Sequence, residues 1–169
     1  MKLKKTLAIT LVTVGIAVTG YVYADSQTKV VEISALPVTH KDLSELEDRS
    51  KLIVTGKPLD SENHVVKDKD GFIQEGFTIT SFKIDDVYSD KTEKKIKKGD
   101  IIKVAEPLYI IDNGLKPGQT EFVVEDYKKM NQSNRYLLVL KPDVNYSDLN
   151  VIAGGKEGQY NLNGTKLIP

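Results

Sequence analysis

A chain of 169 residues with 24 basic and 24 acidic side chains has no net charge, and 40% hydrophobic with 28% charged residues is the composition of a folded domain rather than a disordered one. The absence of cysteine excludes disulfides, thiol nucleophiles, thiolate metal sites and a lipid-modified cysteine anchor. Lys2, Lys4 and Lys5 belong to an amino-terminal leader without acids, so residues 25–169 are mildly acidic and poorly suited to sequence-independent nucleic-acid binding.

The three lysines precede a stretch from Thr6 to Tyr23 that carries no charge. Val22-Tyr23-Ala24 supplies a signal-peptidase site, with cleavage expected between Ala24 and Asp25. The stretch is long for a signal peptide and close to the lower limit for a membrane span. A tether through residues 6–23 is therefore the competing reading, with Tyr21 and Tyr23 at the interface. In both cases the rest of the chain is expected outside the cytoplasm, either secreted or anchored. The expected organisation is a leader over 1–24, an extension with a short strand over 25–40, and one domain over 41–169.

A β-like run at Val30-Val31-Glu32-Ile33 is closed by Pro37. Thr39-His40-Lys41-Asp42 has capping-box spacing, and Leu43 and Leu46 repeat at i, i+3, which predicts one short helix over 41–50. Residues 51–57 are a β-branched strand that Pro58 is expected to stop. Asp68-Lys69-Asp70-Gly71 reads as a turn within a polar stretch. From Phe77 to Val87 the chain is strand-like. Its apolar phase changes between Ile79 and Phe82, which predicts a bulge or sharp coil in mid-strand. Further strands are expected at 101–104, 121–127, 136–140 and 149–153. Gly154-Gly155 then turns the chain into a short last strand. The fold class is mainly β: six or seven strands and one helix, most simply a small barrel.

The order of these elements carries a resemblance. A helix leads into Ser50-Lys51-Leu52-Ile53-Val54-Thr55-Gly56-Lys57, followed by the bent strand from Thr78 to Tyr88. Lys98-Gly99-Asp100-Ile101-Ile102-Lys103-Val104, Arg135-Tyr136-Leu137-Leu138-Val139-Leu140 and Gly154-Gly155-Lys156-Glu157-Gly158-Gln159-Tyr160 complete the pattern. Over about residues 42–164 it resembles small exported bacterial proteins of unassigned function. More distantly it is similar to the tissue-inhibitor-of-metalloproteinases and netrin-like modules, which are five-stranded OB-type barrels. The resemblance implies an OB-like barrel of five to seven strands with one short helix. It does not extend to the inhibitory wedge, because those inhibitors chelate zinc through an amino-terminal cysteine that this chain lacks.

Residue patterns that would carry chemistry are sparse. Asp68 and Asp70 precede Gly71, but a calcium-loop register would put Val66 and Phe77 where the essential carboxylates belong. His40 and His64 are isolated, so no histidine metal site is expected, and no cofactor is implied. No serine stands in G-x-S-x-G. Ser81 is explained by a bulge. Asp85-Asp86 and Glu125-Asp126 are expected within strands, where adjacent side chains point to opposite faces and cannot act together. Gly154-Gly155-x-x-Gly158 lacks the following helix that phosphate cradling needs.

Two surface features remain. Lys91, Lys94, Lys95, Lys97 and Lys98 form a basic cluster, read either as a solvated loop or as a contact for an anionic envelope polymer or lipid headgroup. Tyr109, Tyr127, Tyr136, Tyr146 and Tyr160 are read either as a ligand face or as packing. The expectation is a non-enzymatic, exported binding or interaction module of the cell envelope, its partner a protein or an envelope polymer and not nucleic acid. Inhibition of an extracellular protease and glycan hydrolysis by paired carboxylates are the alternatives.

Overall fold

The computed structural model describes residues 22, 24–34 and 43–163. The expected leader helix, His40, the Pro37 stop and the capping box lie outside the described residues, apart from Val22 and Ala24. Nine strands and one α-helix follow one another among the described residues, so the protein is mainly β. They are β1 (Thr28–Ile33), α1 (Leu43–Arg49), β2 (Leu52–Lys67), β3 (Ile73–Asp90), β4 (Ile101–Glu106), β5 (Leu108–Asp112), β6 (Gln119–Val124), β7 (Tyr136–Pro142), β8 (Leu149–Ile152) and β9 (Gln159–Asn161), with a 3-10 turn at Gly155–Gly158 before β9. No helix of the described residues is long and apolar enough to cross a membrane.

By internal contacts the described residues divide into two compact units, one drawn from the chain up to residue 31 and from 110–122, the other from the described residues of 32–109 and from 123–163. In the smaller unit the turn after β5 is tied to the chain near the leader. The Gln119 N–H donates to Gln27 O at 2.9 Å and the Gly118 N–H to the Asp25 carboxylate at 3.2 Å. Asp25, the expected residue after a cleavage site, is thus an acceptor for this turn.

The larger unit holds a six-stranded sheet in the order β2-β3-β4-β8-β7-β9, and β2 also pairs with β7. All its pairings are antiparallel except β4 with β8. Leu52, Val54, Phe82, Ile84, Val104, Leu138 and Leu140 fill the inside, each at most 1% exposed. On the other side of β7, Leu46 of α1 packs against Val139 and Ala153. The helix is short because Ser50 closes it, its hydroxyl donating to Glu47 O at 2.7 Å.

Three local expectations are corrected. Pro58 does not end its strand: β2 continues to Lys67, with Pro58 buried opposite Phe82. The pairing of β2 with β7 stops at Gly56, so beyond that point β2 has a single neighbour and tolerates a residue with no N–H. The mid-strand irregularity does exist, but Leu59 and Asp60 of β2 supply the surplus opposite Ser81. Between Thr78 and Ile84 alternation in β3 runs unbroken, since Thr78, Thr80, Phe82 and Ile84 are all buried. The apparent phase change arises because two core positions hold threonines: Thr78 Oγ1 donates to Leu108 O at 2.9 Å and Thr80 Oγ1 to Glu106. Finally, β6 ends at Val124, and Glu125 takes a left-handed φ of 46°, so Glu125-Asp126 is a turn and not a strand pair.

Candidate functional site

The connection between β3 and β4 carries the lysine cluster, and Asp90 shapes it. Its Oδ1 accepts the Thr92 N–H at 2.7 Å and the Thr92 hydroxyl at 2.5 Å, while Oδ2 accepts the Ile96 N–H at 2.7 Å. Burial pushes the Asp90 carboxyl up, but these hydrogen bonds and nearby Lys95 outweigh it and leave it below the usual aspartate range. Lys95 adopts a left-handed φ of 53°, and the Asp100 carboxylate accepts the Lys97 N–H at 2.8 Å. The loop is therefore a built structure rather than a loose charged run.

Two of its lysines line a groove. Lys91 and Lys94 line a groove of about 600 Å³ together with Lys51 at the start of β2 and Lys103 of β4. Ile96, Ile101, Ile102, Pro142 and Leu149 give this groove apolar walls, and Glu93 and Asp148 are its acids. The Lys91 N–H donates to Lys51 O at 2.7 Å, joining the end of β3 to the start of β2. Lys94 Nζ reaches Ser147 O at 3.3 Å across the groove. Lys103 Nζ meets Asp148 Oδ2 at 3.0 Å, which raises the lysine and lowers the aspartate from their ordinary ranges. Lys95, Lys97 and Lys98 do not line the groove, and Lys98 pairs with Asp86 at 3.2 Å.

Lys91 also lines a second groove of about 910 Å³, on the side of α1 and β9. Ile53, Leu137 and Val139 give it an apolar base, Tyr88, Tyr160 and Leu162 stand exposed beside it, and Glu47, Asp48, Ser89, Gln159 and Asn161 supply polar groups.

The tyrosines singled out from sequence fall into different environments. Tyr127 and Tyr136 are buried in the core. Tyr109 lies over Gly76, where a Cβ would come within 2.6 Å of the ring. Tyr146 donates to Glu75 Oε2 at 2.6 Å, and that bond raises its hydroxyl above the usual range. It packs edge-on to His64 and Phe77, and these two stack with centroids 4.5 Å apart. Of the five, only Tyr160 is exposed, and it shares its groove with Tyr88, which is 67% exposed.

Among the described residues no three His, Asp or Glu side chains form a group that could hold a metal ion. Asp85 and Asp86 are spoken for separately, by Arg135 at 2.8 Å and Lys98 at 3.2 Å. Asp126 pairs with Lys156.

Sequence reading missed Lys51, Lys103, Tyr88 and Glu106. The two lysines are far from the cluster in sequence and join it only through strand pairing. Glu106 was detectable, because Ile102, Val104 and Glu106 share one period-2 face and place a carboxyl in a core phase. No family model, curated protein or solved structure matches the chain.

Proposed function

We propose that this chain is an exported, non-enzymatic binding module built on an OB-like barrel, and that it holds an anionic polymer of the cell envelope in the lysine-lined groove. Support for the barrel comes from strand order. Counting β2, β3, β4, β7 and β8 as strands one to five, the pairing runs 1-2-3-5-4-1 with strands three and five parallel. That is the Greek-key order of an OB barrel, and it agrees with the netrin-like resemblance of the sequence.

The observation that carries the binding reading is the convergence of Lys51, Lys91, Lys94 and Lys103, from three separate stretches of chain, on one groove with apolar walls. Four ammonium groups against two carboxylates leave an attractive field for an anion, and the apolar walls lower the local dielectric and strengthen it.

The test is retention of the full-length chain, in neutral detergent, on immobilised polygalacturonate at low and at high salt. Salt-sensitive retention is expected, lost in the triple variant Lys51→Gln, Lys91→Gln, Lys94→Gln and kept when Lys95, Lys97 and Lys98 become Gln. Equal retention of both triple variants would overturn the assignment of this groove.

A further inference from the structure

Resting on that reading, we infer that the anionic polymer is an acidic polysaccharide whose sugar rings lie in the second groove, on Tyr88 and Tyr160. Lys91 lines both grooves, so a ligand anchored at the lysines has the tyrosine groove as its neighbouring surface.

The placement of the two rings follows from backbone irregularities. Ile53 pairs with Ser89 and Val54 with Val87, so Tyr88 is an unmatched residue in a bulge. A bulge re-aims the side chain it carries, and here the ring stands 67% exposed beside an apolar floor. Tyr160 reaches the same groove from β9, a three-residue strand held against Leu137. An exposed aromatic face with apolar floor on one side and polar groups on the other suits a sugar ring: the C–H face rests on the negative face of the ring and the hydroxyls project sideways.

Polar partners for those hydroxyls are present. Ser89, Gln159 and Asn161 line the groove beside the two rings. Glu47 and Asp48 of α1 line the same groove. These two carboxylates decide the ligand class. A uniformly charged chain such as polyphosphate would bring anions against them. A chain of sugars with spaced anionic groups brings hydroxyl donors to the carboxylates and its charge to Lys91 and the groove beyond.

The experiment titrates the full-length chain, in neutral detergent, with three probes of matched length: oligogalacturonate, a neutral cello-oligosaccharide and inorganic polyphosphate. Oligogalacturonate is expected to bind at least tenfold tighter than either of the others. Tyr88→Ala and Tyr160→Ala should each weaken it about tenfold or more, whereas Tyr88→Phe, which keeps the ring, stays within about twofold. Lys91→Gln should weaken it and reduce its salt dependence. Polyphosphate binding as tight as oligogalacturonate, with no response to the tyrosine variants, overturns the polysaccharide inference and leaves the lysine groove standing. Tyrosine-dependent binding of the neutral sugar that ignores the lysine variants overturns the lysine groove. Binding of none of the three overturns both.

Discussion

The Tyr127 hydroxyl donates to Glu106 Oε2 across 3.0 Å inside the core, and the Met130 N–H meets the same oxygen at 2.7 Å. Thr80 Oγ1 donates to the other oxygen, so a fully enclosed carboxyl is served by three neutral donors. The three come from β3 and from the connection between β6 and β7, which makes Glu106 the point where that connection is pinned to β3 and β4.

Glutamine can keep its oxygen for the Tyr127 hydroxyl and the Met130 N–H only by turning its amide toward Thr80, whose hydroxyl must then accept instead of donating. Glu106→Gln and Tyr127→Phe are each expected to cost about 1–2 kcal/mol. Urea unfolding of the two variants and of the double variant measures this. A double-variant loss well short of the sum of the two is expected from shared partners. Stability of Glu106→Gln equal to that of the parent chain would remove Glu106 from this role.

The same pair predicts the alkaline limit. Burial, then the negative charge and hydrogen bond of Glu106, raise the Tyr127 hydroxyl far above the usual tyrosine range. The folded chain thus holds this proton more tightly than the unfolded chain does. The stability it contributes is complete below the ordinary tyrosine pKa and is lost as pH rises past about 10. Thermal melts between pH 8 and pH 11 should therefore fall less steeply for Tyr127→Phe than for the parent. Parallel profiles would show that the proton on Tyr127 does not matter to folding.

Much of the strand content was legible because alternation is a local property: Leu52 to Lys57, Ile101 to Val104 and Tyr136 to Leu140 all read as strands and are strands. Two features defeated local reading for a common reason. Pro58 breaks a strand only if its N–H is required, and that depends on where β7 stops pairing, which is set by residues far away in sequence. Thr78 and Thr80 looked like surface positions because their hydroxyls find partners at Leu108 and Glu106, again remote in sequence. The site followed the same logic. Lys91 and Lys94 were visible as members of a basic run, but their place in one groove with Lys51 and Lys103 comes from the sheet.

Gly56 offers a test of the strand geometry. A Cβ there would come within 2.1 Å of Lys83 O and 2.7 Å of the Phe82 ring, so the two strands approach more closely than any side chain allows. The clash involves backbone on a strand paired at both edges, which cannot give way by a rotamer change. Gly56→Ala is expected to cost about 3 kcal/mol, at the upper end for overpacking, and to lower the melting temperature by several degrees. An unchanged melting temperature would mean that β2 and β3 are further apart here than described.

Asp90 links stability at low pH to the lysine groove. Its burial raises the carboxyl, yet the Thr92 hydroxyl, the Thr92 and Ile96 N–H groups and Lys95 together lower it below the usual aspartate range. The folded chain therefore binds this proton less tightly than the unfolded chain, so the contribution is present above the ordinary aspartate pKa and is lost as pH falls through about 4 and below. What is lost first should be the loop, because the carboxylate holds Thr92 and Ile96 in place and with them the lysines on either side. Amide exchange of Ile96 is expected to accelerate about tenfold or more in Asp90→Asn at neutral pH, since an amide nitrogen then faces the Ile96 N–H in place of Oδ2. Binding of polygalacturonate should weaken in the same variant although no lysine has been altered. Unchanged Ile96 exchange would show that the loop holds its shape without Asp90, and the positions of Lys91 and Lys94 would then have to be set by their contacts with Lys51, Glu47 and Ser147 alone.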